Sequence, residues 1–272
     1  MMKTRVIVSL FLVPLLFVVL YFTPPWVLPL TISAVSMLAV HELLGVTNFV
    51  KKFRIMAYSL IFTGAVPIYD YFDIPSEFML LGTFAFIVLL FAEGILDHKN
   101  ITYEIVGGTF MASLLVPTFF CSVMRVIHME NGEFLVLFAF IIPIMTDIFA
   151  MISGIVFGKH KLIPDISPKK TIEGSIGGIV GAVVFSVVYG LILHYIFGFR
   201  VNFSLIILLS MAGSVIGQLG DLTFSYIKRG FKVKDFGAII PGHGGILDRF
   251  DSLLFVAPLV EVTLKTFAVI WK

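Results

Sequence analysis

The sequence has few charged residues and almost no cysteine, and each scarcity excludes a class of protein. Charged residues make up 13% of the 272 residues, the formal net charge is +2, and hydrophobic residues reach 59%. With a mean hydropathy of +1.06, this composition lies outside the range of soluble domains. The small net charge argues against a nucleic-acid partner. The single cysteine, Cys121, excludes an intramolecular disulfide, and its apolar neighbours predict a buried, inert thiol.

Long apolar runs occupy most of the chain. A membrane-spanning helix needs about 20 mostly apolar residues, because lipid offers no partner to an exposed backbone amide. This criterion predicts an all-α, polytopic integral membrane protein with about nine transmembrane helices, near residues 6–22, 26–44, 53–69, 77–96, 104–124, 134–157, 174–197, 203–226 and 252–270. A cleaved signal peptide is the alternative for the first run. We expect a retained helix, since no small-x-small cleavage site precedes the Thr23-Pro24-Pro25 turn.

Basic residues are concentrated on one side of the predicted membrane topology. Of the 19 Lys and Arg residues, 15 fall in the N-terminal segment and the loops on its side, and four on the opposite side. This asymmetry predicts a cytoplasmic N-terminus and an external C-terminus. We divide the chain into residues 1–130, with about five N-terminal transmembrane helices, and residues 131–272, with the C-terminal helices and most of the polar residues. No soluble domain, low-complexity linker or internal repeat is visible.

The most polar stretch runs from residue 225 to 251 and combines cations, glycines and carboxylates. Its glycine-rich turn, 241–245, could bring backbone N–H groups close to an anion, because glycine tolerates the required backbone angles. Within the turn, His243 could donate to a phosphate or shuttle a proton. The other five histidines show no metal-ligand spacing with one another. Together these residue types suggest phosphate chemistry.

Two groups of polar residues, each with at least one aspartate, flank the glycine-rich turn. Asp221, Ser225 and Lys228 recur at i, i+4 and i+7, on one helical face. Asp221 could bind a divalent cation while Lys228 meets a phosphate, or the three could form a solvated helix end. Asp248 and Asp251 open the final predicted span and could supply further ligands. The spacing alone leaves both interpretations open.

A second polar region lies upstream. Asp147 sits inside a predicted span, where a carboxylate is costly to bury, so it is either functional or paired to a neighbouring helix. The loop after it carries lysines, among them Lys169 and Lys170, close to Ser167 and to the start of a helix. It could bind an anion at the helix N-terminus, or be an ordinary basic loop that attracts acidic lipid headgroups. Glycines at 174, 178, 181, 213, 217 and 220 predict close helix packing that brings the polar ends of two helices together.

These residues resemble a known family. The pattern in 225–251 looks like the signature of phosphatidate cytidylyltransferases, also called CDP-diacylglycerol synthases; its fixed positions here are Ser225, Ile227, Lys228, Arg229, Lys234, Asp235, Gly237, Ile240, Pro241, His243, Gly244, Gly245, Ile246, Asp248, Arg249, Phe250 and Asp251. Gly158-Lys159-His160, Ser167 to Thr171 and Glu173-Gly174 are similar to a second common segment of that family, as are Asp147 and Gly220-Asp221-Leu222. The similarity covers roughly residues 140–255. Phe224 departs from it, because family members often carry an acid there.

The resemblance implies a reaction of CTP with phosphatidic acid that gives CDP-diacylglycerol and pyrophosphate, with Mg2+ as cofactor. It implies that the substrates bind at the cytoplasmic face of a bacterial inner membrane, with the lipid bilayer as partner. Whether the protein forms a homodimer is left open. It assigns catalysis to Asp221, Asp248, Lys228, Arg229 and His243, substrate binding to Ser167, Lys169, Lys170, Ser225, Lys234, Gly244, Gly245 and Arg249, and metal binding to Asp221 and Asp248, with Asp251 or Asp147 in support.

Three other functions are compatible with parts of this pattern. A CTP-dependent lipid alcohol kinase needs the same metal and basic loops, and a cytidylyltransferase for an isoprenoid or ether lipid would differ only in its lipid. A transporter could explain Asp147 and the interrupted helices. It does not explain why the polar residues gather on one face of the membrane.

Overall fold

The computed structural model of the chain describes residues 18–46, 53–237 and 244–272. The elements within these ranges are mostly long helices: α1 (Val27–Val46), α2 (Phe53–Tyr71), α3 (Ser76–Leu96), α4 (Tyr103–Ile127), α5 (Gly132–Phe157), β1 (Lys161–Ile163), β2 (Ser167–Thr171), α6 (Ile172–Tyr195), β3 (Arg200–Val201), α7 (Phe203–Gly230), α8 (Leu247–Thr266) and β4 (Ile270–Trp271). The all-α class is confirmed. The two short antiparallel strand pairs, β1 with β2 and β3 with β4, were not predicted.

The helices follow the apolar runs and end where the chain can turn. Asp73, at φ 48°, and Pro75 separate α2 from α3, and Asn131, at φ 56°, precedes α5. Aspartate and asparagine tolerate the left-handed conformation better than most residues, which explains their place at these turns. The connections from α2 to α3 and from α4 to α5 are therefore short.

Six of the described helices, α1, α3, α4, α5, α6 and α7, are long and apolar enough to cross a membrane. The chain is thus a polytopic integral membrane protein. Helices α2 and α8, with 19 and 20 residues, match two further predicted spans in position but fall below that apolar level. The first predicted span lies largely outside the described residues, of which residues 18–21 are helical.

The last helix differs most from its predicted bounds. It was expected to begin at Ser252, but α8 begins at Leu247. Asp248 and Asp251 therefore belong to its first two turns. The charged residues made this stretch resemble a loop in sequence, whereas acids in the first turn of a helix are favoured by the helix dipole.

The chain forms two compact units. The first contains residues 1–124 and 231–249, and the second contains residues 125–230 and 250–272. In the first unit α1 packs against α2 and α2 against α3; in the second unit α5 packs most extensively against α6, and α7 contacts both. Cys121 is fully buried in the first unit, as predicted. The division near residue 130 stays a prediction.

Glycines allow α5 and α6 to pack closely. A Cβ at Gly181 would lie 2.3 Å from Cγ of Phe149, and one at Gly178 would lie 2.9 Å from the carbonyl oxygen of Thr146. Both distances are below van der Waals contact, so only glycine fits here without a shift. The glycine face of α6 is a packing surface, as predicted.

The glycine face of α7 packs elsewhere. A Cβ at Gly217 would lie 3.0 Å from Val256 on α8, and one at Gly220 would lie 3.0 Å from the carbonyl oxygen of Asp251. The polar ends of α6 and α7 do come together, but not through their glycines, because the two glycine faces pack against other helices. Polar side chains at the ends of α6 and α7 bring these helices together instead.

Candidate active site

The second unit contains a cavity of about 420 Å³, and its mostly apolar lining includes several charged and polar side chains. Asp147 from α5, Lys169 and Lys170 from β2, and Gln218 and Asp221 from α7 line it, together with the glycine face at the start of α6. Carboxylates and ammonium groups share this one cavity. Four of the residues singled out in the sequence, the two aspartates and the two lysines, are therefore brought together by the fold.

The lysines lie on a hairpin that is fixed to the N-terminus of α6. Thr171 ends β2 and caps α6, because its Oγ1 accepts the N–H of Gly174 at 3.1 Å. The Glu173 carboxylate accepts the backbone N–H groups of Lys159 and His160, both at 3.2 Å, and contacts Nδ1 of His160 at 2.7 Å. The predicted juxtaposition of cations and a helix N-terminus is confirmed. Both features attract an anion.

The last turns of α7 are attached to this hairpin. Lys170 forms an ion pair with Oδ2 of Asp221, and Ser225 donates to Oδ1 of the same carboxylate at 3.5 Å. Nε of Arg229 donates to the carbonyl oxygen of Ile166 at 3.3 Å. The acid end of α7 and the basic hairpin therefore lie on the same side of the membrane.

A third acid, Asp251, does not line the cavity but interacts with two acids that do. Asp251 is buried, and its Oδ1 accepts the backbone N–H of Ser252 at 2.7 Å. Its carboxylate interacts electrostatically with those of Asp221 and Asp147 and with the ammonium group of Lys228, which is also buried. Three acids within electrostatic range repel one another, so this part of the unit favours a cation.

The rest of the signature stretch belongs to the first unit. Oδ2 of Asp248 accepts the backbone N–H groups of Phe236 at 2.9 Å and of Gly245 at 3.0 Å. Gly244 adopts φ +81°, which a residue with a side chain rarely adopts. Lys234 and Arg249 are exposed. His243 lies outside the described residues.

These contacts give Gly245 a structural role that could replace the predicted role in substrate binding. Its N–H is donated to Asp248, and the residue is buried. Gly244 and Gly245 thus form part of a folded turn around Asp248. Their contact with a nucleotide stays a prediction, as does the metal role of Asp248.

The acids of the cavity suit a divalent cation that is held partly by its ligand. Within the described ranges 18–46, 53–237 and 244–272, no group of three or more Asp, Glu, His or Cys side chains is close enough to hold a metal ion. Mg2+ is commonly held by one or two carboxylates together with substrate phosphates. Asp147 and Asp221 supply two such carboxylates in one cavity, so the residues fit Mg2+ that arrives with a nucleotide.

Two residues that line the cavity, Ser175 and Gln218, were not predicted from the sequence to belong to a site. Ser175 donates to Oε1 of Gln218, and Nε2 of Gln218 donates to the carbonyl oxygen of Ser175 at 3.3 Å. This pair joins α6 to α7 at the cavity. Gln218 precedes Asp221 by three residues, and residues at that spacing share a helix face, so the helical period could have identified it.

Phe224 has a packing role. It occupies the position at which the family that the sequence resembles often has an acid. Its buried ring meets that of Phe255 edge-on, with 6.1 Å between centroids. An acid at this position would have to be buried against α8. The neighbouring cavity therefore relies on other carboxylates.

Comparison with known proteins gives a consistent picture. The model of a family described as the cytidylyltransferase family matches residues 3–267. Proteins called phosphatidate cytidylyltransferase are similar to this chain over 135 residues: those of Staphylococcus haemolyticus, Staphylococcus aureus strain COL and Staphylococcus saprophyticus are 46%, 45% and 44% identical. The match covers 50% of this chain and 50% of each relative, so the chain spans about half the length of the curated relatives it matches.

Proposed function

This chain belongs to the cytidylyltransferase family, and from that premise we propose that it transfers the cytidylyl group of CTP to phosphatidic acid, forming CDP-diacylglycerol and releasing pyrophosphate. One observation carries the proposal: Asp147 and Asp221 share a cavity with Lys169 and Lys170 at the end of membrane helices. The relatives named phosphatidate cytidylyltransferase support the choice of lipid.

The proposed reaction joins two anions. A phosphate oxygen of phosphatidic acid attacks the α-phosphorus of CTP, the new P–O bond forms, and the bond to the β-phosphate oxygen breaks as pyrophosphate leaves. The lipid phosphate is already ionised near neutral pH, so a strong base is not needed. The site must instead neutralise repulsion and align the two groups. Lys169, Lys170 and the N-terminus of α6 provide positive charge for this purpose.

The proposed cofactor is Mg2+, held by Asp147 and Asp221 with Asp251 close by. Bound Mg2+ would withdraw charge from the phosphate oxygens and from the departing pyrophosphate. The roles of the protein residues follow from their positions. Asp221 aligns Lys170 through their ion pair, and Arg229 anchors the hairpin that carries both lysines.

We also propose that the cavity faces the cytoplasm of a bacterial cell. The excess of Lys and Arg on the N-terminal side supports this orientation. The contact between Arg229 and Ile166 supports a shared face for the hairpin and the end of α7. CTP would reach the site from the cytoplasm, while the acyl chains of the lipid remain between helices.

Pyrophosphate release by the purified full chain tests the proposal. We expect release only when CTP, Mg2+ and phosphatidic acid are all present. Omission of each component in turn, and replacement of phosphatidic acid by diacylglycerol, are the controls. Release of pyrophosphate without lipid would contradict the lipid assignment. Release of CDP with a lipid alcohol would indicate a kinase, and substrate flux without nucleotide turnover would indicate a transporter.

A further inference from the structure

Glu42 is a buried acid near the end of the apolar helix α1, and it has no role in the reaction proposed above. The residue is only 4% exposed. Its Oε1 accepts the backbone N–H of Ile246 at 2.9 Å, and its Oε2 accepts that of Leu247 at 2.9 Å. These donors lie at the N-terminus of α8, where N–H groups have no partner within their own helix. Glu42 therefore caps a helix that begins about 200 residues later in the chain.

Two glycines make room for this carboxylate. A Cβ at Gly245 would lie 2.3 Å from Oε2 of Glu42, and a Cβ at Gly237 would lie 2.6 Å from Oε1. Any larger side chain at either position would displace the carboxylate. Gly237 and Gly245 stand on either side of the segment 238–243. Glu42 thus packs against both residues that flank this segment.

Asp248 completes the arrangement. Its Oδ2 accepts N–H groups from Phe236, which precedes the segment 238–243, and from Gly245, which follows that segment. Glu42 and Asp248 each accept two backbone N–H groups of this stretch, and together they determine where α8 begins. A change at Glu42 would therefore be transmitted to Asp248 and to the glycines of the turn.

We propose that Glu42 is a positioning residue, which holds Gly244, Gly245 and Asp248 in the arrangement that cytidylyl transfer requires. This role rests on the proposed function. It gives α1 a part in positioning the signature stretch, although α1 contains none of the signature residues. It also requires that the end of α1 and the start of α8 lie on the same side of the membrane.

Glu42→Gln tests the proposal with little change in volume. Glutamine keeps one acceptor but turns an NH2 group toward the second backbone donor, so one hydrogen bond is lost. We expect kcat for pyrophosphate release to fall at least about tenfold, with KM for CTP changing less than about threefold, since loss of an interaction made in the transition state lowers kcat. Hydrogen exchange of the amides at 245–247 should rise at least about tenfold, the consequence of losing one capping bond.

Glu93→Gln is the matched control. Glu93 is likewise buried in the first unit, at 7% exposure, and its carboxylate lies 3.7 Å from Arg54. Its replacement removes a buried negative charge without touching the signature stretch. We expect kcat and the exchange at 245–247 to stay near wild-type values, even if the unfolding temperature falls as much as in Glu42→Gln.

Gly237→Ala provides a second route if Glu42→Gln fails to fold. Its methyl group would press on the same carboxylate from the opposite side, so the same fall in kcat and the same faster exchange are expected. Wild-type kcat combined with faster exchange would overturn the positioning role, and so would unchanged exchange. A wild-type chain that releases no pyrophosphate would refute the proposed function instead, and the exchange data would then decide whether Glu42 holds the segment.

Discussion

The ion pair between Lys170 and Asp221 allows structural and catalytic roles to be separated by experiment. The two side chains are 28% and 25% exposed. An exposed pair contributes about 0–1 kcal/mol to stability, and breaking a buried one costs about 3–5 kcal/mol. With a quarter of each side chain exposed, we expect Asp221→Asn or Lys170→Gln alone to cost about 1–3 kcal/mol.

The double variant Lys170→Gln/Asp221→Asn leaves neither charge unpaired. It should therefore recover much of the stability lost in the single variants. Activity should not recover, because each group is also expected to act on phosphate or metal. Removal of one such charge-stabilising group lowers kcat by about 10²–10³. We expect at least a 100-fold loss of pyrophosphate release in both single variants and in the double variant.

Glu261→Gln is the control for ion-pair loss in the same unit. Glu261 accepts Nε of Arg125 at 2.7 Å, and the Arg125 side chain is 28% exposed, the same fraction as that of Lys170. This variant should lower the unfolding temperature yet keep turnover within about threefold, since Glu261 does not line the cavity. Unfolding temperature and pyrophosphate release are measured on the same detergent-solubilised samples. A double variant with activity within tenfold of wild type would show that the Lys170 pair is only structural.

Two further predictions concern the cavity acid and helix packing. Asp147→Asn should lower pyrophosphate release at least about tenfold without lowering the unfolding temperature, because it removes a charge that repels Asp251; unaltered release would remove Asp147 from the metal site. Gly181→Ala should destabilise the protein by about 1–3 kcal/mol, since its Cβ would meet the ring of Phe149. Gly107→Ala is the control, because a Cβ at Gly107 would meet open space. This variant should be neutral or stabilise the protein by up to about 1 kcal/mol. Equal effects of the two variants on thermal unfolding would contradict the packing argument.

The helices could be predicted because membrane spans obey a simple length rule. Apolar runs of about 20 residues identified the helices from α1 to α7 within a few residues. The rule failed at α8, where charges replace apolar residues in the first two turns. That start is set by the carboxylate of Glu42, which binds the N–H groups of Ile246 and Leu247. A cap from a distant helix leaves no local pattern in sequence.

The site was predictable to the extent that its chemistry was local. Lysines before a helix and Asp221 near a helix end each suggested an anion or metal site, and the structure places them in one cavity. The reason for their meeting was misjudged, because the glycine faces of α6 and α7 have different partners. Contacts between helices depend on which face each one turns inward. Spacing along one helix does not determine that choice.

The glycines of the signature stretch show why a sequence pattern can have two physical causes. A glycine-rich turn predicts backbone N–H groups open to phosphate. Here the space left at Gly237 and Gly245 is occupied by the carboxylate of Glu42, and the N–H of Gly245 is used by Asp248. These glycines are therefore explained by the fold before any nucleotide binds. In the proposed mechanism the lysines and the N-terminus of α6 are the protein groups that meet the phosphate charge, so the Lys170 and Glu42 variants test complementary parts of that mechanism.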